Sequence, residues 1–416
     1  GPECTRATEP GRHDLSPAGC QESGGDGYNP NMNTPEQQRW EESRQPLVEL
    51  IKALIEREGR IPFARFMELA LYHPRYGYYQ TSAIRPGRSG DFITSPEAHP
   101  IFGHTLARQL DEMWRIIDRP DPFTLREYGA GVGTLALTIL TGLQEDRSGL
   151  LEAIRYEPVE TSPARRADLT NRLDAAGFGF LLQDPLPDTR IFGCVLANEV
   201  IDAFPVHRVV LQDGRLWEIY VTWRDGWFAD ELGPPSTPEL AGHFEREGVK
   251  LLEGQHAEVN LGAAGWIAEV AAGLERGYTL AIDYGYPAEQ LYGPERRDGT
   301  LKAYYRHGVH LDPYRAVGEQ DLTAHVDFTA LQQAAKQYGL TTLGLTTQAE
   351  FLTGAGIGEL LVAMQQEPGA TAERYLGARA AVARLIDPGG MGRFRVLALG
   401  RGIGSEVRLR GLRRLL

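Results

Sequence analysis

The chain has 416 residues, with 43 Lys and Arg against 56 Asp and Glu, a formal charge of −13. That length allows two to three domain equivalents, and the acidic balance argues against an extended nucleic-acid footprint. No run of 18 apolar residues exists, so no membrane span is expected, and three scattered cysteines (Cys4, Cys20, Cys194) suggest neither a disulfide framework nor a metal site, which points to a reducing, cytoplasmic setting.

Residues 1–33 hold many Gly, Pro, Ser, Asp and Asn and almost no apolar periodicity, which predicts a disordered tail. Five acidic residues against two Arg do not suit a mitochondrial transit peptide, and there is no apolar stretch for a secretory signal. Met32 stands just before the first helix signal and is a candidate start. Thr34-Pro35-Glu36-Gln37 reads as a capping box opening a helix. Trp40, Leu47, Leu50, Ile51, Leu54 and Ile55 fall on one face of that helix, which Gly59 ends. A second helix is expected over Phe63–Leu71, then a rigid aromatic turn, Tyr72-His73-Pro74-Arg75-Tyr76-Gly77-Tyr78-Tyr79, read as core. Another helix is expected over 97–117, started by Ser95-Pro96-Glu97. This makes 34–118 a helical region, with a lid-like loop at 88–97.

From residue 123 short apolar runs alternate with helical stretches: Phe123–Tyr128, Thr134–Leu143, Ile154–Val159, Ser162–Ala176, Phe180–Gln183 and Ile191–Ala197. Such alternation predicts a parallel sheet covered on both faces, an α/β fold occupying 119–416. Asp213-Gly214 and Asp225-Gly226 mark hairpin turns in an inserted antiparallel piece, about 207–260. The alternation resumes with a helix at 263–275 and a strand at Tyr278–Ile282. A loop-rich insertion (286–325) follows, then a helix over Asp327–Tyr338, a strand near 341–347, helices through 348–386 and a last strand at Arg393–Leu399.

Glu127-Tyr128-Gly129-Ala130-Gly131-Val132-Gly133-Thr134 joins the first of these strands to a helix. Its glycines let the backbone approach a ligand at the carboxyl end of a parallel strand. Position 134 is Thr where a dinucleotide fingerprint needs Gly, and no G-x-x-x-x-G-K-[ST] run exists. Glu127 beside a pyrophosphate is repulsive, whereas beside an ammonium or sulfonium it is attractive. The pattern therefore favours S-adenosylmethionine (SAM) over NAD. Glu160, ending the second strand, is suited to ribose hydroxyls, and Asp184, ending the third, to an adenine amino group. Asn198, Glu199 and Asp202 follow the fourth strand, where the methyl group would lie.

These residues carry a resemblance. The chain resembles the MidA family of SAM-dependent methyltransferases from about residue 47 to 358. The matching motifs are Tyr72-His73-Pro74…Gly77-Tyr78-Tyr79, Gly90-Asp91-Phe92-Ile93-Thr94-Ser95-Pro96-Glu97, the glycine loop, and Val159-Glu160-Thr161-Ser162-Pro163. Further on they are Ala197-Asn198-Glu199…Asp202-Ala203-Phe204-Pro205-Val206-His207, Ile282-Asp283-Tyr284-Gly285-Tyr286, Gly299-Thr300-Leu301 and Gln320-Asp321-Leu322-Thr323-Ala324-His325-Val326-Asp327-Phe328. Tyr128 and Ala130 replace the family's usual Leu and Pro, and Val200 replaces its usual aromatic. The resemblance implies a class I fold, a Rossmann-like seven-stranded sheet with an N-terminal helical region and an inserted substrate-side region. It also implies SAM binding by the glycine loop (Gly129, Gly131, Gly133) and Glu160; the positions read above add Glu127, Asp184 and Asn198 as cofactor-binding candidates, with Asp91, Thr94 and Ser95 from the lid. The family includes a protein arginine methyltransferase of mitochondrial complex I assembly, so an arginine-bearing protein partner is expected.

Methyl transfer to a guanidinium needs a carboxylate to orient the nitrogen and accept a proton. Candidates are Glu199 and Asp202 with Asn198, then Asp283 with Tyr284, then His325 with Asp327. Asp327 equally reads as the N-cap of the following helix, and His307 as a packing residue. A small-molecule O- or N-methyltransferase and a non-catalytic SAM-binding assembly factor stay open as alternatives.

Overall fold

The computed structural model describes residues 34–80, 94–186, 189–306, 308–366 and 371–413. Its central sheet has six strands in the order Thr341–Thr347, Arg395–Arg401, Leu274–Asp283, Ile191–Asn198, Phe123–Tyr128, Ile154–Val159. The last four of these are mutually parallel. Arg395–Arg401 runs antiparallel to Leu274–Asp283, and Thr341–Thr347 antiparallel to Arg395–Arg401. Helices Thr134–Glu145, Pro163–Ala175, Gly262–Gly273 and Phe328–Gln337 alternate with the strands and cover both faces. Phe123–Tyr128 is flanked by the strand that follows it and by the one after that. The chain therefore changes direction across it, and this is where open α/β sheets leave a crevice at the strands' carboxyl ends.

The third of the seven expected strands, at Phe180–Gln183, does not form. Gly179–Leu181 is a single 3₁₀ turn, and only Leu182 bridges Tyr156, with the Gln183 N–H donating to the Tyr156 carbonyl at 2.9 Å. Gly179 before and Pro185 after leave too short a run for a ladder, and Phe180 stays 77% exposed.

The inserted piece is antiparallel: His207–Gln212, Arg215–Arg224, Trp227–Gly233 and His256–Val259, with Asp213 and Asp225 in left-handed turn conformation before Gly214 and Gly226. Ile61–Pro62 from the N-terminal region adds to its edge beside Tyr220 and Val221. The N-terminal region is accordingly not one helical body. Helices Gln45–Glu58 and Phe63–Tyr72 bury Leu47, Ile51, Phe63 and Phe66 against Val221, Phe228, Tyr314 and Leu322 of the insertions. Helix Ile101–Ile116 packs instead against Thr134–Glu145 in the main core. Two continuous helices were expected here, and both are interrupted. Pro46 restarts the first after a cap at Ser43, and Pro100 separates the turn Ser95–Ala98 from Ile101–Ile116. Among the described residues no helix is long and apolar enough to cross a membrane.

Candidate active site at the carboxyl ends of the parallel strands

Gly129, Gly131 and Gly133 all adopt left-handed backbone, at φ +65°, +55° and +77°. A Cβ at Gly129 would stand 2.6 Å from Val200 Cγ2, so Val200 packs directly on the loop. A Cβ at Gly131 would meet nothing nearer than a carbonyl oxygen at 3.9 Å. The loop therefore needs glycine at 129 for packing and at 131 for conformation, and at 131 it faces open space.

Glu160 binds this loop. Its carboxylate accepts the Gly131 N–H and the Ser162 N–H, each at 2.8 Å, which sets the loop against the end of the second strand. Glu127 lies beneath, 3% exposed, and accepts a hydrogen bond from Tyr156 Oη at 2.6 Å. Burial raises its pKa to about 7, against the lowering effect of Tyr156 and with help from nearby Glu160. Asp184 stands apart from this group. Its side chain is 86% exposed and paired with Arg166, which also donates to the Pro158 carbonyl. The structure thus leaves Asp184 in solvent, just past the isolated Leu182 bridge.

The opposite wall is Asn198–Ala203. Asn198 Nδ2 donates to Glu199 Oε1 at 3.2 Å. Glu199 is in left-handed conformation (φ +53°), a strained state for a residue with a side chain. It is retained because its own N–H donates to the Ile282 carbonyl at 2.9 Å and its carboxylate accepts the Ser95 N–H at 2.8 Å. Burial raises the Glu199 pKa to about 7. Asp202 is 9% exposed, and its pKa is pushed well above the usual carboxylate range by burial and by Asp283, Asp321 and Glu199.

Asp283 is 1% exposed, and its Oδ2 accepts three successive N–H groups, from Val200 at 3.1 Å, Ile201 at 2.8 Å and Asp202 at 3.2 Å. Its Oδ1 accepts the Tyr284 N–H at 2.8 Å. Both oxygens are committed to backbone, so the geometry makes Asp283 the clamp of the loop that carries Glu199 and Asp202.

Thr94 caps the turn Ser95–Ala98 in a capping box with Glu97, and Ser95 Oγ reaches Gln348 Oε1 at 3.3 Å. The segment is both a helix start and a contact of the site, through Glu199. Asp91 and the lid residues 88–93 lie outside the described residues, as does His307. His325 is partly buried beside Tyr284 and Tyr286, with ring centroids 6.3 and 5.5 Å away. Burial, with Lys302, Arg393 and Arg296 nearby, lowers its pKa to about 4, so it is neutral at pH 7 and a weak base. Asp327 Oδ1 accepts the N–H groups of Thr329 and Ala330, the N-cap geometry.

The sequence reading of 72–79 as core missed a second role. Tyr72 Oη donates to the Ala203 carbonyl at 2.9 Å and Tyr79 Oη to Asp321 Oδ1 at 2.6 Å, so the aromatic turn forms a wall beside Asp202. The polar ends of Tyr72 and Tyr79, within an otherwise apolar cluster, are the signal that could have found it.

Two observations fit the methyl donor to this crevice. Asn198 Oδ1 is buried without a hydrogen-bond partner, an acceptor for a ligand's N–H or O–H. Glu127 and Glu199, both costly to ionise where they are, gain a counter-charge from a cationic ligand.

Comparison with known proteins agrees. A family model for S-adenosyl-L-methionine-dependent methyltransferases matches residues 105–346. The mitochondrial protein arginine methyltransferase NDUFAF7 homolog of Drosophila melanogaster is 31% identical, over 90% of this chain and 90% of its own. The mitochondrial protein arginine methyltransferase NDUFAF7 of Rattus norvegicus is 28% identical, over 75% of this chain and 74% of its own. A Burkholderia thailandensis structure with S-adenosyl-homocysteine bound is 34% identical, covering 91% of this chain and 96% of that one, with a TM-score of 0.80. The relatives' names are mitochondrial, which overturns the cytoplasmic expectation. Cysteine usage reports redox state and does not separate one reducing compartment from another.

Proposed function

The chain belongs to the MidA family of SAM-dependent methyltransferases, and on that premise we propose that it methylates an arginine side chain of a protein partner. Its cofactor is SAM, which when bound supplies an electrophilic methyl carbon on a sulfonium. The observation that supports an arginine acceptor is the acidic wall: Glu199, Asp202 and Asp321 converge beside Tyr72 and Tyr79.

A guanidinium is a planar fork of five donors that stays charged in water, so it is held best by carboxylates and aromatic faces. Holding one nitrogen in line with the methyl carbon supplies a large part of the rate by proximity alone. Asp202, deep in the wall, orients the fork. Glu199, with a pKa of about 7 and a fixed Oε1, accepts the proton that the nitrogen gives up. Asn198 and Glu127 hold the polar and cationic groups of the cofactor, and the glycine loop admits its backbone contacts. The curated relatives carry arginine methyltransferase in their names, in keeping with this reading.

The test is transfer of tritiated methyl from SAM into a protein extract, followed by acid hydrolysis and amino-acid analysis. Label in methylarginine supports the proposal. Label confined to the small-molecule fraction, or turnover with no methylarginine, removes it.

A further inference from the structure

Strand Asp321–Thr323 lies against the short helix Ile201–Ala203, tied by the Ala324 N–H to the Asp202 carbonyl at 2.9 Å. This brings Asp321, 0% exposed, next to Asp202, 9% exposed, from opposite ends of the chain's substrate-side region. The charges acting most strongly on Asp202 are Asp283, Asp321 and Glu199, all of its own sign. Asp283 is explained by its backbone contacts, and Glu199 faces Ser95 and Asn198. Asp321 is different: it is oriented by a side chain, Tyr79 Oη at 2.6 Å, and that tyrosine stacks obliquely on Tyr72 with ring centroids 5.4 Å apart.

The turn that carries Tyr79 also reaches the cofactor side. Gln80 Nε2 donates to Thr161 Oγ1 at 3.4 Å, one residue past the loop-binding Glu160, and the Arg165 guanidinium stands 5.3 Å from the Tyr79 ring centroid. One turn therefore touches both the residue next to Glu160, which sets the glycine loop, and the carboxylate beside Asp202. Two buried like charges side by side are costly unless a cation arrives between them.

We propose that Asp321 and Tyr79 are acceptor-positioning residues: Asp321 joins Asp202 as the second carboxylate of a clip for a guanidinium, and Tyr79 sets the direction of the Asp321 carboxylate. This rests on the arginine reading above and adds to it the residues that select the acceptor. A planar fork satisfies two carboxylates at once, whereas a lysine ammonium is a point charge that satisfies them poorly.

The experiment titrates the protein, saturated with S-adenosylhomocysteine, with acetyl-Gly-Arg-Gly-amide and with its neutral citrulline counterpart. The unaltered protein, Tyr79→Phe and Asp321→Asn are compared by calorimetry. Both substitutions keep the side chain's shape. The arginine peptide binds the unaltered protein at least tenfold more tightly than the citrulline peptide. Each substitution removes at least that tenfold difference while S-adenosylhomocysteine affinity stays within twofold. Arginine selectivity that survives both substitutions overturns this inference and leaves the arginine reading standing. Equal binding of the two peptides by the unaltered protein overturns both. A substitution that weakens S-adenosylhomocysteine and the arginine peptide together assigns the pair a structural role and overturns the inference.

Discussion

The backbone N–H of Ser95 donates to Oε1 of Glu199 at 2.8 Å, across 104 positions of sequence. It joins the turn that precedes the first core helix to the one non-glycine residue in left-handed conformation on the acidic wall. A carboxylate so held presents a fixed oxygen and a fixed lone-pair direction.

Glu199→Gln keeps an acceptor for Ser95 and removes the charge. Methyl transfer falls about 100-fold or more, the range for a lost general base, with S-adenosylhomocysteine affinity within about threefold. Single-turnover transfer from labelled SAM reads the loss. An unchanged rate removes Glu199 from the chemistry.

Gly131→Val places a β-branched side chain at φ +55°, a conformation that costs roughly 1–2 kcal/mol for residues other than glycine. Its Cβ meets no steric barrier, so the fold survives while the backbone N–H that Glu160 orients is displaced. SAM affinity drops more than 100-fold in calorimetry, with circular dichroism unchanged. Retained affinity would mean that the ligand lies elsewhere.

The pH dependence follows from the raised carboxylates. Glu127 and Glu199, at about 7 in the folded protein against an ordinary 4.5, bind more protons folded than unfolded. The ligand-free protein therefore loses stability as pH rises from about 4.5 to about 7. His325, lowered to about 4, opposes this with its single proton below pH 6.5. A sulfonium or ammonium near Glu127 favours its ionised form, so binding of SAM releases protons below about pH 7 and tightens up to that pH. Calorimetry at pH 6 in buffers of different ionisation enthalpy measures the release. Heats independent of buffer would separate Glu127 from the ligand's charge.

Two aspartates separate clamping from capping. Asp283→Ala strands four backbone N–H groups, those of Ile201 and Asp202 among them buried, and costs about 3 kcal/mol or more, together with all methyl transfer. Asp327→Ala removes an N-cap, costs about 1 kcal/mol, and leaves methyl transfer within twofold. Urea midpoints and initial rates on the two variants check both. A large rate loss in Asp327→Ala at full occupancy of SAM would return that residue to the chemistry.

The helix signals closest to the backbone were the most legible. The Thr34–Gln37 capping box, the Asp-Gly turns and the four parallel strands could be read from local pattern because each depends on neighbours within a few positions. Pro46 and Pro100 break helices that periodicity ran together, since an apolar stripe continues across a break that removes one backbone hydrogen bond. The third strand was misread because an apolar run announces burial, and Phe180–Gln183 has only Leu181 buried.

The sequence by itself determined the ligand class. Glycines at 129, 131 and 133 with an acid two positions before them act through local conformation and charge, which neighbours in sequence dictate. What each acid does was decided by the tertiary structure. Glu127 meets Tyr156 29 positions away, Asp283 meets the 200–202 backbone 81 to 83 positions away, and Tyr79 meets Asp321 at 242. A carboxylate's role depends on which donors surround it and how much water they exclude, and those donors arrive only when the distant strands and the aromatic turn pack together.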